Sequence, residues 1–365
     1  MQHDLLHVAE VLKGGTSSYL EEVLPFQASA FGQDRVRVLI PLGQRADLPC
    51  SQALNTTCFD DSGSRKAHVL ELIKHVRALV KERRPTIIHA HGTFAGVAVR
   101  LALLSVTNPP PVVYCAHGWA FDREGSAWKN RLIATIERCL SPLARKTICI
   151  SEHDRQSAIA YGFKPERLVV VLNGIKDELP RANVTEVTWP AGKQRLLFAG
   201  RFDRQKGVDV FLQAMARLGD NYFAYAIGDA SVGDEALSST IPENVKLTGW
   251  LPRHEVQGYL RSADVFVMPS RWEGFGLSAL EAMRAGKAVV ASQVGGLPEL
   301  VQTGVNGMLV KPNSVDDLVQ ALQSLTAANT TSMGQVSREI YESKFKAERM
   351  NKEILELYAS VLVSS

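Results

Sequence analysis

Short apolar runs separated by amphipathic helical stretches recur from one end of this chain to the other, and few folds accommodate that alternation. In the first half the runs are Leu5–Ala9, Val36–Ile40, Thr86–Ala90, Val112–Ala116, Thr147–Ile150 and Leu168–Leu172. The second half carries Arg195–Ala199, Phe223–Ile227, Val245–Leu247, Val265–Met268, Ala288–Ala291 and Gly307–Val310. These runs are short and rich in β-branched residues, as strands buried on both faces are. Segments with helical spacing, such as Ala67–Glu82 and Lys129–Leu140, lie between them. Such alternation predicts an α/β fold of parallel sheets covered by helices on both faces.

At 365 residues the chain exceeds what one core comfortably holds, so two domains are expected. The break falls near Lys176–Gln194, a polar, aperiodic stretch containing Pro180 and Pro190. The expected division is a first domain over residues 1–178, a linker over 179–194, a second domain over 195–343 and a tail over 344–365 with a helical pattern. Two doubly wound domains then face each other across a cleft, because ligands of such sheets bind outside the carboxyl ends of the strands.

The bulk numbers exclude other classes. No apolar stretch reaches about 18 residues, so no transmembrane helix is expected. The start, Met1-Gln2-His3-Asp4, lacks the basic n-region of a signal peptide. Five cysteines without a Cys-x-x-Cys pair read as reduced thiols of a cytoplasmic protein. The net charge of +3 is unevenly shared: residues 1–180 hold 22 Lys/Arg against 18 Asp/Glu, the remainder 19 against 20. Part of the excess is Lys74, Arg77, Lys81, Arg83 and Arg84, which read as a solvated helix face or, more sharply, as a surface leaning on anionic lipid.

The strand-to-helix loops carry the chemistry. Lys13-Gly14-Gly15-Thr16-Ser17 follows the first strand, and its two glycines let backbone amides at a helix start approach a phosphate. Neither P-loop nor dinucleotide-loop spacing is present, and a tight turn alone would also need such residues. In the second domain, Gly200-Arg201-Phe202-Asp203-Arg204-Gln205-Lys206-Gly207 places two cations by a strand end, where they can clamp a diphosphate or simply be solvated. Next, Pro269-Ser270-Arg271-Trp272-Glu273-Gly274-Phe275-Gly276-Leu277-Ser278-Ala279-Leu280-Glu281 is a strand, a glycine turn and a helix. Gly274 and Gly276 offer a second anion cradle, Glu273 can reach a sugar hydroxyl, and Glu281 can accept two hydrogen bonds from a vicinal diol or sit in a helix salt bridge. Gly295-Gly296-Leu297-Pro298-Glu299 reads equally as a ligand loop or a packing turn. His117 follows the strand Val112–Ala116 and reads as cleft-facing or as a buried histidine bonded to backbone. His89 and His91 form a His-x-His pair with no evident third ligand, so they read as packing residues and no metal is expected.

Taken in order, these loops resemble the retaining glycosyltransferases of family 4, which have the GT-B fold of two facing Rossmann-like domains. The densest part is Gly-Arg-x-x-x-x-Lys-Gly at 200–207, Glu-x7-Glu at 273–281 and Gly-Gly-Leu-Pro-Glu at 295–299; Gly14-Gly15, Ala116-His117-Gly118, Ile150-Ser151 and Asn173-Gly174-Ile175 support it. The resemblance implies roles residue by residue. Arg201 and Lys206, beside Gly200, would hold the donor diphosphate. Glu273 and the backbone of Gly274, Phe275, Gly276 and Leu277 would hold the transferred sugar and distal phosphate. Glu281 would bind the ribose, and Gly228, with the loop after it, and Leu251 would lie near the base. Gly14 and Gly15 would approach the phosphates from the first domain, His117 would touch the donor sugar, and the tail helix would return to the first domain.

The implied activity is hexosyl transfer from a nucleotide diphosphate sugar, with UDP expected because it is the commonest nucleotide of the family, and with no cofactor or metal. The expected course is front-face substitution, with the cations stabilising the departing diphosphate and domain closure gating the step. The expected acceptor is a glycan or polyprenyl-diphosphate-linked glycan in bacterial surface polysaccharide synthesis, met by first-domain loops around Gly43–Ser64 and Trp119–Lys129 at the inner face of the plasma membrane. The rivals are a nucleotide-sugar epimerase of the same fold, a non-catalytic sugar-binding protein and an inactive scaffold. No nucleic-acid partner is expected.

Overall fold

The computed structural model describes residues 4–177, 186–229 and 241–363. Contacts divide the chain into two compact units, residues 1–174 with 347–365, and residues 175–346.

The first unit is built on β1 (Leu5–Ala9), α1 (Gly15–Phe31), β2 (Val36–Pro41), β3 (Asn55–Phe59), α2 (Arg65–Arg83), β4 (Ile87–His91), α3 (Thr93–Leu103), β5 (Val112–Cys115), α4 (Ala127–Leu140), β6 (Lys146–Cys149), α5 (Glu152–Ala160) and β7 (Leu168–Val170). Its sheet is parallel, in the order β3-β2-β1-β4-β5-β6-β7. Strands β1, β4 and β5 are buried along their whole length, and the histidines of β1 and β4 are buried with their apolar neighbours. β3 is the strand that apolar periodicity does not reveal. It is an edge strand of sequence Asn-Thr-Thr-Cys-Phe, exposed at Asn55, half-exposed at the next three residues and buried only at Phe59, so nothing selects for hydrophobicity along it. The segment 43–64, expected as an acceptor loop, therefore contains β3 and two short 3-10 turns.

The second unit comprises β8 (Gln194–Ala199), α6 (Val208–Leu218), β9 (Tyr222–Ile227), β10 (Val245–Gly249), α7 (Arg253–Ser262), β11 (Val265–Met268), α8 (Leu277–Arg284), β12 (Ala288–Ser292), α9 (Leu297–Leu300), β13 (Gly307–Val310), α10 (Val315–Gln323) and α11 (Ala327–Lys344). Its sheet is again parallel, β10-β9-β8-β11-β12-β13. Strand order thus reverses between β8 and β11 here and between β1 and β4 in the first unit, the position at which doubly wound sheets bind ligands. Each unit is Rossmann-like, as expected.

The final helix, α12 (Ala347–Val363), belongs to the first unit. Asn351 Nδ2 donates to the carbonyl of Glu22 on α1 at 3.0 Å, and Gln27 Nε2 donates to the Tyr358 hydroxyl at 3.3 Å. The unit boundaries fall at 174/175 and 346/347, against the expected 178–195 and 343/344. The reason is local. Ile175 donates its amide to the Phe345 carbonyl at 3.0 Å and bridges to Lys346, while Phe345 packs edge-on against Phe275, so both segments are held in the second unit. Of the expected linker, residues 179–185, Pro180 among them, lie outside the described residues, as do Met1–His3. No described helix is long and apolar enough to cross a membrane.

Candidate active site

In the second unit the expected residues gather at the carboxyl edge of the sheet. Gly200 and Arg201 follow β8, Gly228 follows β9, Leu251 follows β10, and Glu273 follows β11. Backbone hydrogen bonds stitch these ends together, Gly200 N to Ile227 O and Gly228 N to Gly249 O, each at 3.0 Å. Gly228 (φ 146°) lies so close to Gly200 that a Cβ there would sit 1.9 Å from the Gly200 carbonyl oxygen. That glycine is needed first for loop packing, whatever ligand passes over it.

Lys206 and Glu273 form the centre. The Lys206 ammonium donates to Glu273 Oε2 at 2.5 Å, with side-chain exposures of 18% and 13%. Asp203 organises the cations: Oδ1 accepts the Lys206 amide at 3.0 Å, and Oδ2 accepts Arg201 Nε at 2.7 Å. Arg201 Nη2 also donates to Gln205 Oε1 at 2.9 Å, and Gln205 Nε2 donates to the Trp272 carbonyl at 3.2 Å. The two cations are thus fixed on one loop whose far side grips the segment before Glu273. Sequence spacing suggested the cations but not Asp203, whose position between them was the available signal.

Gly276 (φ 100°) caps α8, and no side chain caps the amides of its first turn. Phe275 is buried against Phe345, so only its backbone can meet a ligand. Gly295 (φ 54°) resolves the open reading of the second glycine turn: a Cβ there would stand 1.6 Å from the Glu273 carbonyl oxygen, so the turn is a packing support for Glu273. Glu281, on α8, accepts Arg253 Nε at Oε1 at 2.9 Å. The salt-bridged alternative for Glu281 is therefore present, with a partner 28 residues away on another helix. The loop expected near the base continues from Gly228 into residues 230–240, outside the described residues.

In the first unit, Gly14 (φ 83°) precedes α1 and Gly15 opens it, as a strand-to-helix turn requires. His117 lies two residues past the end of β5 with φ 56°, a conformation uncommon outside glycine. It is not bonded to backbone as the bland reading had it. Its Nε2 lies 3.1 Å from His91 Nδ1, and its Nδ1 lies 3.6 Å from Cys115 Sγ. Burial lowers its pKa to about 4, and that of His7 likewise to about 4. The His-x-His pair does have a third member, His7 on β1, which pairs in register with His89. One ring nitrogen from each of the three lies within 4.8 Å of the others, a spacing a cation can bridge. However, His7 Nδ1 and His91 Nε2 are 2.9 Å apart with ring planes 10° from parallel, which fits a shared proton. His89 and His91 are tilted by 32° with centroids 4.1 Å apart, and both ring nitrogens of His7 and of His91 already have hydrogen-bond partners. Ser151, a weak support for the resemblance, is the N-cap of α5, accepting from Asp154 N.

Comparison with known proteins agrees with the geometry. The family described as Glycosyl transferases group 1 matches residues 182–340, and Glycosyltransferase Family 4 matches residues 35–179. A Klebsiella pneumoniae protein described as an uncharacterized 41.2 kDa protein in the cps region is 29% identical over 98% of this chain and 99% of its own. The alpha-maltose-1-phosphate synthase of Mycolicibacterium smegmatis is 30% identical over 76% of this chain and 79% of its own. An Escherichia coli UDP-Gal:alpha-D-GlcNAc-diphosphoundecaprenol alpha-1,3-galactosyltransferase is 25% identical over 87% and 89%. Among solved structures, Anabaena HepE in complex with UDP and glucose superposes with a TM-score of 0.81 at 21% identity, covering 98% of this chain and all of that one. The fold is the GT-B architecture of two Rossmann-like domains. The chain belongs to the group 1 glycosyltransferases, family 4, and is a sugar-transferring enzyme.

Proposed function

We propose that this enzyme transfers a hexose from a UDP-sugar, with retention of configuration, to a polyprenyl-diphosphate-linked glycan at the cytoplasmic face of a membrane, in surface polysaccharide synthesis. The Lys206–Glu273 pair carries the reading. It puts a cation suited to a leaving phosphate 2.5 Å from a carboxylate suited to a sugar hydroxyl, beside the amide-rich start of α8. On this reading Arg201 and Lys206 stabilise the departing diphosphate without a metal, and Glu281 meets the ribose with the oxygen that Arg253 leaves. The leaving phosphate takes the acceptor proton as the new glycosidic bond forms on the same face. The names of the E. coli relative and of HepE support a UDP donor, and the former supports a lipid-linked acceptor.

The membrane part has its own observation. On α4, Trp128, Leu132 and Ile136 follow at four-residue spacing and are 64%, 52% and 47% exposed. Lys129, Arg131 and Arg138 are exposed on the same helix. An apolar stripe with flanking cations suits an anionic bilayer surface. The α2 cations suit it less, since Lys74 pairs with Glu71 and Arg83 with Glu82.

The test is transfer from a panel of radiolabelled UDP-sugars to a prenyl-diphosphate-linked GlcNAc in anionic vesicles. One donor should yield a labelled glycolipid, and Trp128→Ser with Leu132→Ser should lose roughly tenfold or more of that rate while UDP affinity is kept. Isomerised donor with no glycolipid would sink the transfer reading. An unchanged rate in the α4 variant would sink the membrane part.

A further inference from the structure

Seven side chains at the reversal point of the first sheet form one hydrogen-bonded system. Gln27 Oε1 meets His7 Nε2 at 2.7 Å, His7 Nδ1 meets His91 Nε2 at 2.9 Å, and His91 Nδ1 meets His117 Nε2 at 3.1 Å. Cys115 Sγ closes the chain on His117 Nδ1 at 3.6 Å. A branch runs from Gln27 Nε2 to the Tyr358 hydroxyl at 3.3 Å and on to His89 Nδ1 at 2.7 Å.

The direction of every proton follows from the two ends. An amide oxygen only accepts, so His7 carries its proton on Nε2. A neutral imidazole has one donor and one acceptor, so His7 Nδ1 accepts from His91 Nε2–H, and His91 Nδ1 accepts from His117 Nε2–H. That leaves His117 Nδ1 as an acceptor. From the opposite end, burial pushes the Cys115 thiol up to about 12, so it is protonated and donates to the same nitrogen. Both ends demand the same polarity, and no proton is missing or left over. Because an amide oxygen does not pass a proton on, the chain polarises and orients His117 and does not conduct.

We propose that His91, backed by His7 and Gln27, is a positioning residue for His117, holding its ring neutral in the Nε2–H tautomer so that Nδ1 is the one nitrogen a ligand can reach. A thiol is a weak donor, so a sugar hydroxyl displaces it and donates to Nδ1. The backbone strain at His117 is consistent with a ring forced into this register. The effect on turnover rests on the implied role of His117 at the sugar; the state of the ring does not. The titratable groups in contact with His117 are Tyr19 on α1, with its ring 4.7 Å away, His91 on β4 and Cys115 on β5; behind them stand His7 on β1, His89 on β4 and Tyr358 on α12, with Asp154 of α5 acting on Cys115.

The experiment is long-range proton–nitrogen NMR of the intact protein with 15N-labelled histidine, which reads the tautomer and charge of each ring, with His117 assigned by its loss in His117→Asn. In the native protein His117 should show the Nε2–H pattern and no titration from pH 8 to 5.5. His91→Phe should mix the His117 tautomers, leave its titration below pH 5.5 because burial, the cause of the lowered pKa, is unchanged, and lower kcat roughly tenfold with donor KM little changed. His91→Gln, whose amide accepts from His117 and donates to His7, should restore both the pattern and turnover relative to His91→Phe. A native His117 in the Nδ1–H form, or titrating near 6.5, overturns the inference without any variant. So do identical His117 spectra in His91→Phe. Spectra altered as stated with turnover unaltered uphold the positioning chain and count against the role of His117 at the sugar.

Discussion

Replacing Lys206 by alanine should lower turnover by roughly 10²-fold or more, because a cation on the departing phosphate contributes a few kcal/mol to the transition state. The structure adds a second consequence. Lys206 is the partner of Glu273, and both side chains are mostly withdrawn from water, so the variant leaves a carboxylate with its countercharge removed. The two effects separate with UDP, which lacks the transferred hexose that Glu273 would hold. Lys206→Ala should weaken UDP binding about tenfold or more by calorimetry, whereas Glu273→Gln should bind UDP nearly as the native enzyme does and lose turnover. If Lys206→Ala bound UDP normally and turned over normally, the clamp would be wrong. If Glu273→Gln lost UDP instead, the division between sugar and phosphate would be wrong.

The largest expected effect on stability lies elsewhere. In the first unit, Arg100 and Glu137 pair at 2.7 Å with side chains 0% and 2% exposed, tying α3 to α4. Tyr114 donates to the other Glu137 oxygen at 2.9 Å, and the Arg100 guanidinium lies 4.4 Å from the centre of the Tyr114 ring. Glu137→Ala strands a buried guanidinium and should destabilise the first unit by about 3–5 kcal/mol. Urea unfolding should show this as an early transition separated from that of the second unit. Arg100→Met combined with Glu137→Leu should recover most of the loss, since the cost comes from the uncompensated charge and not from the missing pair. A single variant costing under about 1 kcal/mol would mean that water or a rearranged partner reaches Arg100.

What was legible in the sequence follows from what selects each residue. Val265–Met268 was read with its true limits because β11 is buried on both faces and has no room for a polar residue. β3 was missed because an edge strand with one buried residue needs none of that pattern. The site loops were legible because glycine, cation and carboxylate follow one another within each loop. Their partners were not. Glu281 meets Arg253 through the arrangement of α7 and α8, and His91 meets His7 through the pairing of β1 with β4, 84 residues apart. Glu137 sits in a helix that reads as amphipathic, yet it is buried on Arg100. Periodicity reports which face of an element is apolar; which charge is drawn inward depends on a partner supplied by another element.

The central claim is that the loops after β8 and β11 hold the donor. Hydrogen–deuterium exchange of the intact enzyme with and without UDP tests it directly. Exchange should slow in peptides covering residues 200–207 and 273–281, with a much smaller effect in the Lys206→Ala protein at the same UDP concentration. Protection that left both segments unchanged and appeared elsewhere in the second unit would contradict it.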